Sequence, residues 1–351
     1  MFNKEIYFNG RVISQESPTY FIAEIGANFD GSLDKAKKLC DAAKESGADC
    51  AKFQSFIAEK IVAPLGFEKM KLKGVHGSWG RPIIDVFRDA QFPREWHHLI
   101  KEHCDNIGIQ FSTSPYDFEA VELCVSLDLP FIKIGSGEIT WLEMIEKIAF
   151  TQKPIILATG DATMAEIEDA INVIISTGNR NLVLLQCITN YPSMIESANI
   201  NVLKTYKEAF QVLTGYSDHS PGDVVTLGAI ALGAKVIEKH FILNHTVGGP
   251  DASFSLDEKE FKEMVEAVRK TEKALGNNNY QLTSKQKDGK IFSRSLYPTC
   301  DIQKGDRVTF ENIKSVRPGH SLHPKHLNDI IGKSSKRFIP FGDRISLSDF
   351  E

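Results

Sequence analysis

The chain carries six cysteines in 351 residues, and none of them forms a Cys-x-x-Cys pair. Cys40, Cys50, Cys104, Cys124, Cys187 and Cys300 are scattered, several inside apolar helix or strand patterns, where cysteine acts as a small hydrophobe. This argues against a disulfide scaffold and for a reduced, cytoplasmic setting. A basic excess is also missing. Lys and Arg number 41 against 46 Asp and Glu, a formal charge of −5, so the footprint of a nucleic-acid binder is absent. No uncharged apolar run approaches the roughly 20 residues that span a bilayer. The start, Met1-Phe2-Asn3-Lys4-Glu5-Ile6, lacks the apolar core of a secretory signal. Neither nucleic acid nor membrane is therefore expected as a partner.

What is present is enough apolar material, 42% of residues, for a sizeable core, and a length that suggests two domains. From residue 20 to about 275, short apolar runs alternate with amphipathic stretches. The runs predict strands at Tyr20–Ile25, Asp49–Gln54, Ile109–Thr113, Phe131–Ile134, Ile155–Ala158, Leu182–Cys187, Val212–Tyr216 and Lys235–His240. Helices are predicted at Leu33–Glu45, Ala162–Ile175, Pro221–Ala231 and Glu258–Leu275, the last opened by a capping box Ser255…Glu258. Eight strands in βα alternation match a (β/α)8 TIM barrel, with its active site at the carboxyl ends of the strands. A doubly wound open sheet is the alternative, because periodicity does not show closure. The stretch Lys60–Trp96 interrupts the alternation and is expected to be an active-site loop or lid, or a decorative insertion.

Residues 277–288 are polar and read as a linker between a catalytic domain, 1–276, and a small domain, 289–351. The small domain contains a repeat: Ile302–Ile313 matches Ile339–Phe350, each copy carrying Gly-Asp-Arg at a turn. Two such units suggest pseudo-symmetry.

Chemistry-bearing residues gather at the predicted strand ends. Ser217-Asp218-His219 and Glu238-Lys239-His240 close two neighbouring strands, and parallel strands lie about 4.8 Å apart. Two imidazoles so placed can share a divalent cation with open coordination positions, although strand-end histidines are also commonly structural. Lys52 and Lys133 stand inside apolar strands, where a buried ammonium needs an anionic partner. Both pointing inward would suit a small polyanion, while one pointing outward would merely snorkel. Thr159-Gly160, just before a helix, offers anion-binding amides.

Together these features identify a family resemblance over essentially the whole chain. Its marks are Glu24-Ile25-Gly26 with Asn28 and Gly31-Ser32, Lys52, Lys133-Ile134-Gly135-Ser136-Gly137-Glu138, Tyr191-Pro192, Gly215 to His219, Glu238 to His240, and Gly249-Pro250-Asp251. Arg294-Ser295-Leu296 and Arg317-Pro318-Gly319 complete it in the tail. The chain resembles the sialic acid synthase family, comprising N-acetylneuraminate, N-acylneuraminate-9-phosphate, legionaminate and pseudaminate synthases. The resemblance implies a TIM barrel followed by an antifreeze-like (SAF) domain. It implies condensation of phosphoenolpyruvate with an N-acylated hexosamine to a nonulosonic acid and phosphate, by C–O cleavage.

Carried over position by position, the resemblance makes His219 and His240 ligands of a divalent ion, Mn2+ first, with Mg2+ or Co2+ as alternatives. That ion would polarise the sugar carbonyl. Lys52, Ser114, Lys133, Ser136, Thr189 and Ser217 would line the phosphoenolpyruvate site, and Glu24, Asn28, Tyr191, Asp251 and Arg317 would meet the sugar. Glu24, Lys133, Glu238 and Asp251 are the catalytic candidates, with Glu24 and Glu238 equally placed to handle the attacking water. A homodimer is implied, each SAF domain covering the partner's active site. Departures from the family pattern are Phe29, where histidine is common, Ala158 for serine, Thr189 for asparagine or serine, Gln186 for histidine and Ser293 for arginine. The competing readings are a metal-dependent barrel hydrolase or lyase on another anion, and a catalytically retired sugar-binding protein.

Overall fold

The computed structural model describes every residue except 71–79, 191–192, 247–250 and 278. Two compact units divide it, Met1–Gly276 and Asn277–Glu351. Among the described residues no helix is long and apolar enough to cross a membrane.

The first unit opens with an antiparallel hairpin, β1 (Glu5–Phe8) and β2 (Arg11–Ser14). Eight parallel strands follow: β3 (Tyr20–Glu24), β4 (Cys50–Ser55), β5 (Gln110–Pro115), β6 (Ile132–Ile134), β7 (Ile155–Ala158), β8 (Leu182–Cys187), β9 (Leu213–Asp218) and β10 (Val236–His240). Their order is β5-β4-β3-β10-β9-β8-β7-β6, so the sheet wraps round until β5 and β6 meet. At that seam Ser112 Oγ donates to the Phe131 carbonyl at 3.2 Å. The eight predicted strands are the eight observed, and a nearly closed barrel replaces the open-sheet alternative.

Alternation along each strand separates two environments. Outward residues such as Phe21, Ala51, Phe53, Ile134, Leu157, Leu184 and Ile237 join the main core beneath the helices. Inward residues change character with height. Tyr20, Ile22, Cys50, Phe131, Ile156, Val183, Leu185, Leu213 and Val236 fill the amino end, together with Ile6, Phe8 and Ile13 of the hairpin. Phe8 meets Tyr20 edge-on at 5.2 Å and Phe131 at 4.8 Å, closing the barrel floor. Two residues further along the same strands the inward side chains are Glu24, Lys52, Lys133 and Glu238, all buried. The apolar floor forces polar chemistry to the carboxyl end.

Two helix starts differ from expectation. The helix Val224–Ala231 begins after Asp223 rather than at Pro221, because Ser220 gives both its N–H and its hydroxyl to Asp218 and caps nothing. The helix Glu258–Leu275 is capped by Asp257 and Glu260 instead of Ser255 and Glu258. Ser255 is committed elsewhere, donating to the Asp251 carbonyl and accepting from Asn28. The Lys60–Trp96 stretch includes helices Pro64–Glu68 and Ile83–Ala90; its Gly74, Gly77 and Trp79 lie outside the described residues.

The second unit holds β11 (Ser295–Pro298) against β12 (Ile313–Val316) over its own core of Leu296, Ile302, Val308, Ile313, Ile330, Ile339, Ile345 and Phe350. The two repeat copies meet face to face, Ile302 and Ile339 exchanging both backbone hydrogen bonds at 2.9 Å. Each copy closes the same turn, Asp306 N–H to Gln303 and Asp343 N–H to Pro340. Each turn uses a left-handed glycine, Gly305 at φ +90° and Gly342 at +74°. A short helix, Ser284–Asp288, forms within the stretch expected to be a linker.

Candidate active site

A cavity of about 510 Å³ opens at the carboxyl end of the barrel. Register places its chemistry on one level: Glu24 pairs with Lys52 across β3 and β4, and with His240 across β3 and β10. Glu238 pairs with Ser217 across β10 and β9.

Both strand lysines point inward. Lys52 is 2% and Lys133 3% exposed. Lys52 Nζ lies 2.5 Å from Glu24 Oε2, 3.6 Å from Glu238 Oε2 and 3.1 Å from Ser114 Oγ. Lys133 Nζ lies 3.5 Å from Glu238 Oε1. Burial works to neutralise Lys52, but Glu238 and Glu24 override it and hold its pKa above the usual lysine value. Glu238 shows the mirror balance: burial opposes its charge, yet Lys133, Lys52 and the Ser217 hydroxyl keep its pKa below normal. Glu24 differs. Burial and the neighbouring Glu238 outweigh Lys52 and push it up to about 7, while Gln54 donates to its other oxygen at 2.7 Å.

The two imidazoles stand with ring centroids 5.3 Å apart. His219 Nδ1 bonds the Ile188 carbonyl at 2.9 Å, which directs Nε2 away from the backbone. His240 Nδ1 is buried, has no hydrogen-bond partner among the described residues and sits 3.7 Å from Asp251 Oδ2. Burial lowers both pKa values, for His240 well below the ordinary range, so both rings are neutral and ready to donate lone pairs. These donors fit a divalent cation with two protein ligands and further positions left to substrate. Among the described residues, three converging ligand groups occur at His245, Asp257 and Glu260; there His245 and the Asp257 amide share the Glu260 carboxylate.

Ser114, Lys133, Ser136, Thr189, Ser217, Glu238, Asp251 and both histidines line the cavity along with Glu24 and Lys52. Asp251, pushed up to about 6 by burial, accepts from the Ala27 N–H at 3.0 Å. The Gly26 backbone, at φ +52°, passes so close that a methyl there would overlap the Asp251 carboxylate. Asn28 is not on the cavity wall; its amide bonds the Phe241 carbonyl and Ser255, each at 2.9 Å, tying the first strand loop to the last. Tyr191 lies outside the described residues. Arg317 is exposed on the second unit. The Gly160 N–H is taken by Ser136 Oγ at 2.9 Å and the Thr159 N–H by the Leu185 carbonyl, so the expected pair of anion-binding amides is already committed.

Of the departures, Phe29 is core, edge-on to Phe92 at 5.1 Å, and Gln186 faces outward to the Tyr206 hydroxyl and the Ala198 carbonyl. Ala158 lines the cavity and Thr189 donates to Asp161. Glu138 closes the motif that begins at Lys133, and the motif alone assigns it no role. It also lines the cavity, with burial pushing it up to about 7 against the pull of Lys133.

Comparison with known proteins agrees with this architecture. The NeuB family model matches residues 39–280 and the SAF domain model residues 293–351. Pseudaminic acid synthase of Campylobacter jejuni is 40% identical, over 96% of this chain and 98% of its own. N,N'-diacetyllegionaminic acid synthase of the same species is 37% identical, over 90% and 95%. The crystal structure of N-acetylneuraminic acid (sialic acid) synthetase from Leptospira borgpetersenii superposes with a TM-score of 0.73 at 27% identity, covering 82% of this chain and 95% of that one. A chain matched by both models and by full-length synthases of sialic-type acids belongs to the NeuB family, with a SAF domain at its carboxyl end.

Proposed function

We propose that the barrel condenses phosphoenolpyruvate with an N-acylated hexosamine, releasing phosphate and forming a nonulosonic acid. The observation that carries this reading is the socket of two buried lysines, Lys52 and Lys133, converging on Glu238 beside two neutral imidazoles. Buried ammonium groups demand counter-charge, and a substrate bearing both phosphate and carboxylate supplies it, with Ser114, Ser136, Ser217 and Thr189 as hydroxyl partners. A divalent cation at His219 and His240, Mn2+ by preference and Mg2+ or Co2+ as alternatives, would polarise the sugar's carbonyl oxygen.

The weakly nucleophilic enol carbon attacks that carbonyl carbon, and alignment by the socket supplies much of the acceleration. Water adds at the adjacent carbon, and the C–O bond to phosphate breaks. Phosphoenolpyruvate, aldehyde and water thus balance against keto acid and phosphate. Glu24, poised near pH 7, is the better group to exchange a proton with that water. Glu238, held ionised, orients the lysines instead. Asp251, Tyr191 and Glu24 are the proposed sugar contacts. Arg317 is proposed to reach the N-acyl group across a homodimer, from the SAF domain of one subunit to the barrel of the other.

Part of the lining favours one sugar class. Phe56, Ile61, Val86, Phe87 and Ala90 form an apolar section. Of the described cations of that segment, Lys60 is engaged by Glu119, Arg81 by Asp89, Arg88 by Glu59 and Asp85, and Arg94 by Asp117, while Lys69 lies exposed. Such a wall suits a diacetamido trideoxyhexose, rich in methyl groups, over a sugar 6-phosphate.

The test is phosphate release from phosphoenolpyruvate with Mn2+ across N-acetylmannosamine, its 6-phosphate and diacetamido trideoxyhexoses, with mass detection. Release is expected only when a sugar and a divalent ion are both present, fastest with a trideoxyhexose. Release from phosphoenolpyruvate alone, without a new C–C bond, would favour the hydrolase reading. No phosphoenolpyruvate binding at all would favour a retired sugar-binding protein.

A further inference from the structure

The sheet fixes one imidazole and not the other. His240 is the last rung between β10 and β3, opposite Glu24. The ladder between β10 and β9 ends one residue earlier, at Lys239 opposite Asp218, and that between β8 and β9 ends at Ser217. His219 therefore stands beyond every strand pairing. Its own carbonyl accepts from the Ser193 N–H at 3.0 Å, and its Nδ1 is held by Ile188.

The outward side chains of that last rung are Asp218 and Lys239, both with no exposed surface and ion-paired at 2.9 Å. Asp218 also accepts from the Ser220 N–H at 2.9 Å, the Ser220 hydroxyl at 2.6 Å and the Thr226 hydroxyl at 2.8 Å. Lys239 Nζ spends its other two protons on the carbonyls of Ser220, 2.6 Å, and Gly222, 2.9 Å. Each member of the pair thus grips the chain immediately after His219, and every bond the ammonium can make is made. A buried ion pair adds little net stability against well-packed apolar residues, so fold stability alone does not account for one so fully engaged here.

We propose that the Asp218–Lys239 pair is a positioning device for His219, holding its imidazole where it and His240 reach the same divalent cation. The inference rests on the metal reading above. It also separates from simple electrostatics by sign: removing the Lys239 charge beside a cation site would tighten cation binding if charge alone mattered, whereas releasing His219 weakens it.

The experiment titrates Mn2+ alone into the full chain by calorimetry, alongside thermal unfolding. The variants are Lys239→Met, the charge-balanced double Asp218→Asn/Lys239→Met, and Thr226→Val, which removes only the hydroxyl on Asp218. Dissociation constants are expected to rise about tenfold or more for the first two, the scale of losing a residue that orients a metal ligand. Thr226→Val is expected to give about two- to threefold, the scale of one hydrogen bond. Unchanged or tighter Mn2+ binding in folded variants, with only the melting temperature lowered, overturns the positioning role. If Lys239→Met does not fold, Thr226→Val decides by the same criterion. Absence of Mn2+ binding in the unaltered protein overturns the metal reading itself, and the positioning role with it.

Discussion

Apart from Glu238, which its lysines hold low, the buried carboxyls and imidazoles named here are displaced in opposite directions, both chiefly by burial. Glu24 and Glu138 rise to about 7 and Asp251 to about 6, while His97 falls to about 4 and His219 and His240 are lowered. A raised carboxyl binds more protons in the native state than in the unfolded one, where its pKa is roughly 4. Its contribution to stability is therefore full at low pH and lost as pH rises through its folded value. For Glu138, partly open to solvent, the lost contribution at pH 8 is about 1–2 kcal/mol after discounting for screening. Glu138→Gln should raise stability by that amount at pH 8 and by almost nothing at pH 4, read by urea unfolding at each. An equal gain at both would mean that the carboxyl's ionisation is not the cause. At this scale the two lysines were legible, because an ammonium inside an apolar strand demands a partner. Asn28 was not, because whether an amide faces a cavity or ties two loops depends on contacts 213 and 227 residues away in the chain.

At the scale of elements, the eight barrel strands were readable as apolar runs long enough to bury both faces. The hairpin before them was missed. Its strands are four residues long, and β1 alternates exposed with buried positions, giving little apolar length to notice. One signal was available: Asn9-Gly10, with φ +42° and +87°, is the dipeptide of a two-residue hairpin turn. The element matters because Phe8 plugs the barrel floor under the polar layer. Phe8→Ala should cost about 3–5 kcal/mol in chemical denaturation. A loss below about 1 kcal/mol would show that the floor is closed by other residues. The shifted helix caps teach a related point: a serine with a nearer acidic or amide partner does not cap, so the spacing rule failed where Ser220 and Ser255 had been recruited to hold the site's loops.

At the scale of the whole molecule, βα alternation and the Gly-Asp-Arg repeat point to two units. Barrel closure was not readable, since it depends on β5 meeting β6 rather than on any local pattern. Nor was the height at which inward residues turn from apolar to polar obvious, although that boundary puts Glu24, Lys52, Lys133, Glu238 and both imidazoles around one cavity. The proposed reaction joins phosphoenolpyruvate to a sugar in this cavity by breaking the C–O bond. It is tested most directly with phosphoenolpyruvate carrying 18O in its bridging position, turned over with a diacetamido trideoxyhexose and Mn2+, with and without chelator. The label is expected to leave entirely in phosphate, and chelation to stop both phosphate release and product formation. Label retained in the organic product, or turnover indifferent to chelation, would contradict it.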